Sequence, residues 1–317
     1  LAGEGIVLNA REQILIEHGQ LLTFALDTGA GSSISLAARV ILLQGESSLT
    51  SETFDDGAAG DIRLDAEHLA IRAATDISAT TDSAGAGGNI VVRADSTLVD
   101  GFAKLRSRGS PSSTGQPGTI DIEVGTLDVR SGQITTLVTG TGSGGNVVIT
   151  AAREIRLADS TISAAARNDG GNITLTAPRL IYLNGSTVSA ASTAGNGGNV
   201  VIDPLFTVLL NSQVLANAIL GNGGNIDITT GYFLRLDSLV DASSQFGLQG
   251  SVTINAPRFD LTEATPTLPA ELLDAESQLQ PHCAVRLPAG VSTFITTGRG
   301  TTAYRPDDLQ TVITPRD

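Results

Sequence analysis

Apolar and polar residues alternate with period two over short stretches of this chain, and the stretches themselves recur. Gly88-Asn89-Ile90-Val91-Val92, Gly145-Asn146-Val147-Val148-Ile149, Gly171-Asn172-Ile173-Thr174-Leu175, Gly198-Asn199-Val200-Val201-Ile202 and Gly224-Asn225-Ile226-Asp227-Ile228 are the clear copies. Looser ones start at Ser33, Asp61, Thr119 and Ser251, so the spacing runs from 26 to 30 residues. Alternation inside a short run is the mark of a strand. A fixed period of this length marks a stacked repeat, whose units bury their apolar faces only against one another.

The copy starting at Asn172 predicts three strands, Asn172 to Thr176, Arg179 to Leu183 and Ser186 to Ala190, followed by a loop over 193–198. Asn184-Gly185 and Gly195-Asn196-Gly197-Gly198 supply the corners. One repeat is then one triangular coil. Equivalent strands of successive coils pair in parallel, and the handedness of such crossovers makes the coil right-handed. The expected fold is therefore all-β, a right-handed parallel β-helix. It forms a three-sided solenoid of about nine to ten coils over residues 1–262, roughly 43 Å long at about 4.8 Å per coil.

Beyond the repeat, residues 263–280 read as a C-terminal cap. Pro269 stands near a helix start, with Leu272, Ala275 and Leu279 at helical spacing. Residues 281–317 read as a strand-rich tail, with Val291 to Thr297 and Thr311 to Thr314 as its strands. The opposite end has no cap: Gly5-Ile6-Val7-Leu8 opens directly as a strand. An open edge of this kind is a template for pairing. The expected partners are therefore upstream coils of the same precursor, or a second copy joined head to tail, with Phe294 and Ile295 of the tail adding to a neighbour's edge.

Stacking turns equal offsets into columns. Asp65, Arg93 and Glu123 share one offset and alternate in charge, which suits register-keeping. Asn146, Asn172, Asn199 and Asn225 share another and form a structural ladder of amides, as in stacked sheets.

Composition narrows the function. A net charge of -14 with no basic stripe excludes nucleic acid as a partner. No apolar run reaches the length of about 18 residues that a membrane helix needs, so no membrane span is expected. The chain starts at a leucine and contains no methionine, which suggests a portion of a longer precursor. The single cysteine, Cys283, has no internal disulfide partner; it is a free or buried thiol, or else a covalent link between chains.

Chemistry-bearing patterns are sparse. His18, His68 and His282 fall on different coils or on the tail, so no metal site or triad is expected. The glycine-rich loops lack the Lys-Ser/Thr and following helix of a phosphate loop. Asp121 and Glu123 approach Asp95 or Asp128 across coils as a glycosidase pair would, but arginine is interleaved and the chain has no tryptophan. Asp55-Asp56 and Asn168-Asp169 are weak candidates for a cation. The reading assigns no catalytic residue, no metal and no cofactor.

The Gly-Gly-Asn-[Ile/Val]-x-[Ile/Val/Leu] units over residues 30–262 resemble the β-helix of filamentous-haemagglutinin-like exoproteins exported by two-partner secretion. Cys283 followed by Ser292-Thr293-Phe294-Ile295-Thr296-Thr297-Gly298-Arg299-Gly300 is similar to the closing segment of cyanobacterial members, although Thr301-Thr302-Ala303-Tyr304 departs from their usual continuation. The resemblance implies a non-enzymatic adhesin or matrix protein, secreted to the surface of a Gram-negative-type cell, with host or matrix glycans as partners. A carbohydrate-binding or carbohydrate-processing β-helix is the alternative.

Overall fold

The computed structural model describes residues 5–25, 31–54, 57–82 and 84–257. By internal contacts the chain divides after Phe259. The second unit lies outside the described residues, and with it the expected cap over 263–280, the tail over 281–317, Cys283, Phe294 and Ile295.

Every regular element among the described residues is a strand, and all pairing is parallel. The first turn contains β1 (Ile6–Asn9), β2 (Gln13–Glu17) and β3 (Gln20–Ala25). Five turns of two strands follow: β4 (Ile34–Gln44) and β5 (Ser48–Thr53), β6 (Ile62–Ile71) and β7 (Asp76–Thr81), β8 (Ile90–Asp100) and β9 (Lys104–Gly109), β10 (Ile120–Arg130) and β11 (Gln133–Val138), β12 (Val147–Ala158) and β13 (Thr161–Ser163). Three strands per turn then return with β14 (Ile173–Thr176), β15 (Leu180–Asn184) and β16 (Thr187–Ser189), and with β17 (Val200–Asp203), β18 (Phe206–Leu210) and β19 (Gln213–Leu215). The last described elements are β20 (Asn225–Thr229), β21 (Tyr232–Leu236), β22 (Leu239–Asp241) and β23 (Ser251–Asn255).

These strands stack into a β-solenoid of about nine turns, held in a 14-stranded sheet and a nine-stranded sheet. The expectation of three separate strands per repeat holds only for the first turn and the later ones. In the middle turns the first two strands run together through an irregularity, such as the register shift between Val124 and Thr126. In two of the later turns the sequence explains the break. Pro178 is level with Ala152 of the continuous β12, since Arg179 N–H donates to Arg153 O at 3.1 Å. Proline brings no N–H to the ladder, so the strand divides there, and Pro204 repeats the break one turn on.

Three inward columns form the core. On the first face Ile34, Ile62, Ile90, Ile120, Val147 and Ile173 stack without solvent exposure. Ile41, Leu69, Leu127, Ile155 and Ile181 do so on the second, and Leu49, Ile77, Leu105, Ile134 and Ile162 on the third. Each turn is thin, and the burial comes from its neighbours.

Two corners carry the sharp bends. Between the second and third faces the chain enters the left-handed region in turn after turn, at His18, Glu46, Ala74, Phe102, Ser131, Asp159, Gly185, Asn211 and Asp237. The corner before the first face is made of glycine for a different reason. A Cβ on Gly171 would lie 1.8 Å from Gly145 O, on Gly198 1.9 Å from Gly171 O, and on Gly224 1.9 Å from Gly198 O. Successive turns pass there backbone against backbone, with no room for a side chain.

Candidate functional site

The asparagines after these glycines form a ladder of definite direction. Asn146 Oδ1 accepts the backbone N–H of Asn172 at 2.9 Å and its Nδ2–H at 3.3 Å. Asn172 serves Asn199 in the same way, with both bonds at 3.0 Å, and Asn199 serves Asn225 at 3.1 Å. Asn225 Oδ1 is met by Ser251 Oγ at 2.7 Å. The sequence pattern suggested amide-to-amide bonds; the added bond to the next turn's backbone fixes a main-chain donor as well. Asp61 and Asn89 hold the same positions in earlier turns, and Gly5 occupies the position in the first turn without a side chain.

A second ladder, made of buried serines, was not legible as a motif. Ser160 N–H donates to Ser186 Oγ at 3.1 Å, Ser186 N–H to Ser212 Oγ at 3.1 Å, and Ser212 N–H to Ser238 Oγ at 3.0 Å. Each hydroxyl in turn donates to a carbonyl two residues back, as Ser186 Oγ does to Asn184 O at 2.9 Å. The signal was the serine following the left-handed corner residue in the later turns, from Asp159-Ser160 to Asp237-Ser238.

The charged column on the first face is an ion-pair network. Arg93 lies in register with Asp65 and Glu123, and its guanidinium meets both Asp121 and Glu123 at 2.9 Å. Asp121 and Glu123, weighed as partners of Asp95 or Asp128 in a hydrolytic pair, thus share one arginine. His18 is a corner residue and His68 Nδ1 lies 2.8 Å from Ser96 Oγ, on the second face. Asp169 Oδ1 accepts Asn196 N–H at 2.8 Å and Asn168 donates to Thr141 O, so these side chains are engaged with neighbouring turns. Asp55 and Asp56 lie outside the described residues. No three His, Cys, Asp or Glu converge among those described.

Both ends of the described solenoid expose core columns. Leu8 is in register with Leu36, yet it is 37% exposed where Leu36 is fully buried. Ile254 is 38% exposed in register with the buried Ile228. Val7, on the outward side of β1, is 61% exposed. Among the described residues β1, β2 and β3 pair on one side only, as do β21, β22 and β23.

Titratable groups that the sequence reading did not single out gather on the third face. Glu52, Asp76, Asp82, Arg106 and Arg108 line an open depression of about 310 Å³. Burial holds the Glu52 carboxyl above the usual carboxylate range, and the Asp82 charge adds to the effect. On the second face, by contrast, the hydrogen bond from Arg156 holds Glu154 below that range.

The chain matches no family model, no curated protein and no solved structure.

Proposed function

We propose that this chain is a structural and adhesive rod of an exported cell-surface protein, extended by stacking further turns on the open edge of its first turn. The added turns come from the same precursor or from a second copy joined head to tail. The observation that carries the reading is the exposure of Leu8 at a position the core otherwise buries. An open edge of parallel strands with an apolar cross-section is complementary to a further turn of the same repeat. The resemblance of the Gly-Gly-Asn units to filamentous-haemagglutinin-like exoproteins supports export by two-partner secretion and the absence of catalysis. The net charge of -14 suits a soluble extracellular rod.

Electron microscopy of the full chain, with Val7→Pro beside it, tests the assembly. The expected result is filaments with an axial repeat of about 45 Å, nine to ten turns of about 4.8 Å each, lost in the variant because proline withdraws an edge donor. Single rods from both proteins would end the assembly reading and leave a segment of a longer adhesin.

A further inference from the structure

The third face carries a patch with the chemistry of a sugar-binding site. Outward side chains of β5, β7 and β9 form a grid fixed by register. Ser48, Asp76 and Lys104 make one column; Thr50, Ser78 and Arg106 the next; Glu52, Thr80 and Arg108 the third. The floor is hydroxylic, with Ser48 Oγ 2.8 Å from Thr50 Oγ1 and Ser78 Oγ 3.0 Å from Thr80 Oγ1. Glu52 and Asp82 supply acceptors at one margin of the depression and Arg108 supplies donors. Beside Glu52 in register stands Phe24, outward on β3 and 53% exposed; Phe54, at the end of β5, is 49% exposed.

The basic residues of this patch are only partly paired. Arg93, Arg130 and Arg156 each meet a carboxylate. Of the three basic residues alternating along β9, Arg106 pairs with Asp76, whereas Lys104 and Arg108 form no ion pair among the described residues. Alternate positions on a strand lie about 6.7 Å apart on one face, so β9 presents a row of positive charge on a strongly acidic chain. Two unpaired cations, a floor of hydroxyls and an exposed phenylalanine are here brought together on one register grid.

We propose that this face binds an acidic polysaccharide, one whose sugar rings carry carboxylates. Ring hydroxyls donate to Glu52 and Asp82 and exchange hydrogen bonds with Ser78 and Thr80. The apolar face of a ring rests on Phe24. A uronate carboxylate takes the guanidinium of Arg108, which offers two parallel N–H donors in the plane that a carboxylate accepts.

The proposal names the ligand of the adhesive rod and rests on that reading. It is tested by binding to single chains, so its failure is separate from a failure to form filaments. Polygalacturonate, alginate and a neutral cello-oligosaccharide are titrated calorimetrically against the full chain and against Arg108→Ala, Arg108→Lys and Phe24→Ala. Arg39→Ala, which removes an exposed pair with Glu12 away from the patch, serves as control. Circular dichroism checks that each variant is folded. At least one of the two uronates should bind, and more tightly than the neutral glycan. Affinity should fall about tenfold in Arg108→Ala and in Phe24→Ala, with part retained in Arg108→Lys. Failure of both uronates to bind, equal binding of the neutral glycan, or folded Arg108→Ala and Phe24→Ala with unchanged affinity would each overturn it.

Discussion

Thr97 interrupts the second inward column, with Leu69 below it and Leu127 above. It is buried, and its Oγ1 has no hydrogen-bond partner; Thr207, between Ile181 and Phe233, is in the same position. A buried hydroxyl left without a partner costs about 1–3 kcal/mol, while a methyl group of similar shape costs nothing of the kind. Thr97→Val is therefore expected to stabilise the solenoid by about 1 kcal/mol, read as a higher denaturant midpoint at unchanged slope. A lower midpoint would mean that the hydroxyl is satisfied after all. The serines of the buried ladder are the contrasting case, since each accepts one bond and donates another. Removing one of them leaves a neighbour's N–H unpaired.

At the scale of the strand and its corner, the glycine column makes the strictest demand. Gly171→Ala would drive a methyl carbon into Gly145 O at 1.8 Å, and the atom that must yield is backbone. Overpacking of a well-packed site costs about 1–3 kcal/mol, and a contact with main chain belongs at the upper end. We expect a loss of about 3 kcal/mol or failure to fold, measured by chemical denaturation against Ala194→Gly on the neighbouring loop. The inward columns and the asparagine ladder were legible in the sequence because each Gly-Asn copy carries its own strand and starts at a recognisable residue. The running together of the first two strands was not, because single residues between them, such as Pro178 and Pro204, decide it outside the repeating pattern. The third-face patch was hidden for another reason. Glu52, Asp82 and Arg108 belong to three different turns, and the looser early copies obscure their common register. Asp121 and Glu123 stand two apart on one strand and are easier to see, yet Arg93 meets both at 2.9 Å.

At the scale of the molecule, stability is a sum over turns and the contacts between them. Central turns are covered on both sides, whereas β1 to β3 and β21 to β23 are covered on one side among the described residues. Hydrogen exchange should therefore be slowest in β8, β10 and β12 and faster towards both ends, since local opening requires breaking one interface at the ends and two in the middle. Uniform protection from β1 to β23 would show that the turns unfold as one unit. A filament would protect the end strands too, so the profile of single rods is the one to compare.

The two side-chain ladders run in opposite senses. An asparagine Oδ1 receives the N–H of the turn that follows it, while a serine Oγ receives the N–H of the turn that precedes it. A turn that follows another must therefore bring an N–H to the side-chain oxygen before it and a hydroxyl to the N–H that its predecessor projects. Only a partner in the same orientation does both; one arriving upside down would meet like with like. Growth on such a thread is vectorial, and its two tips are chemically different objects.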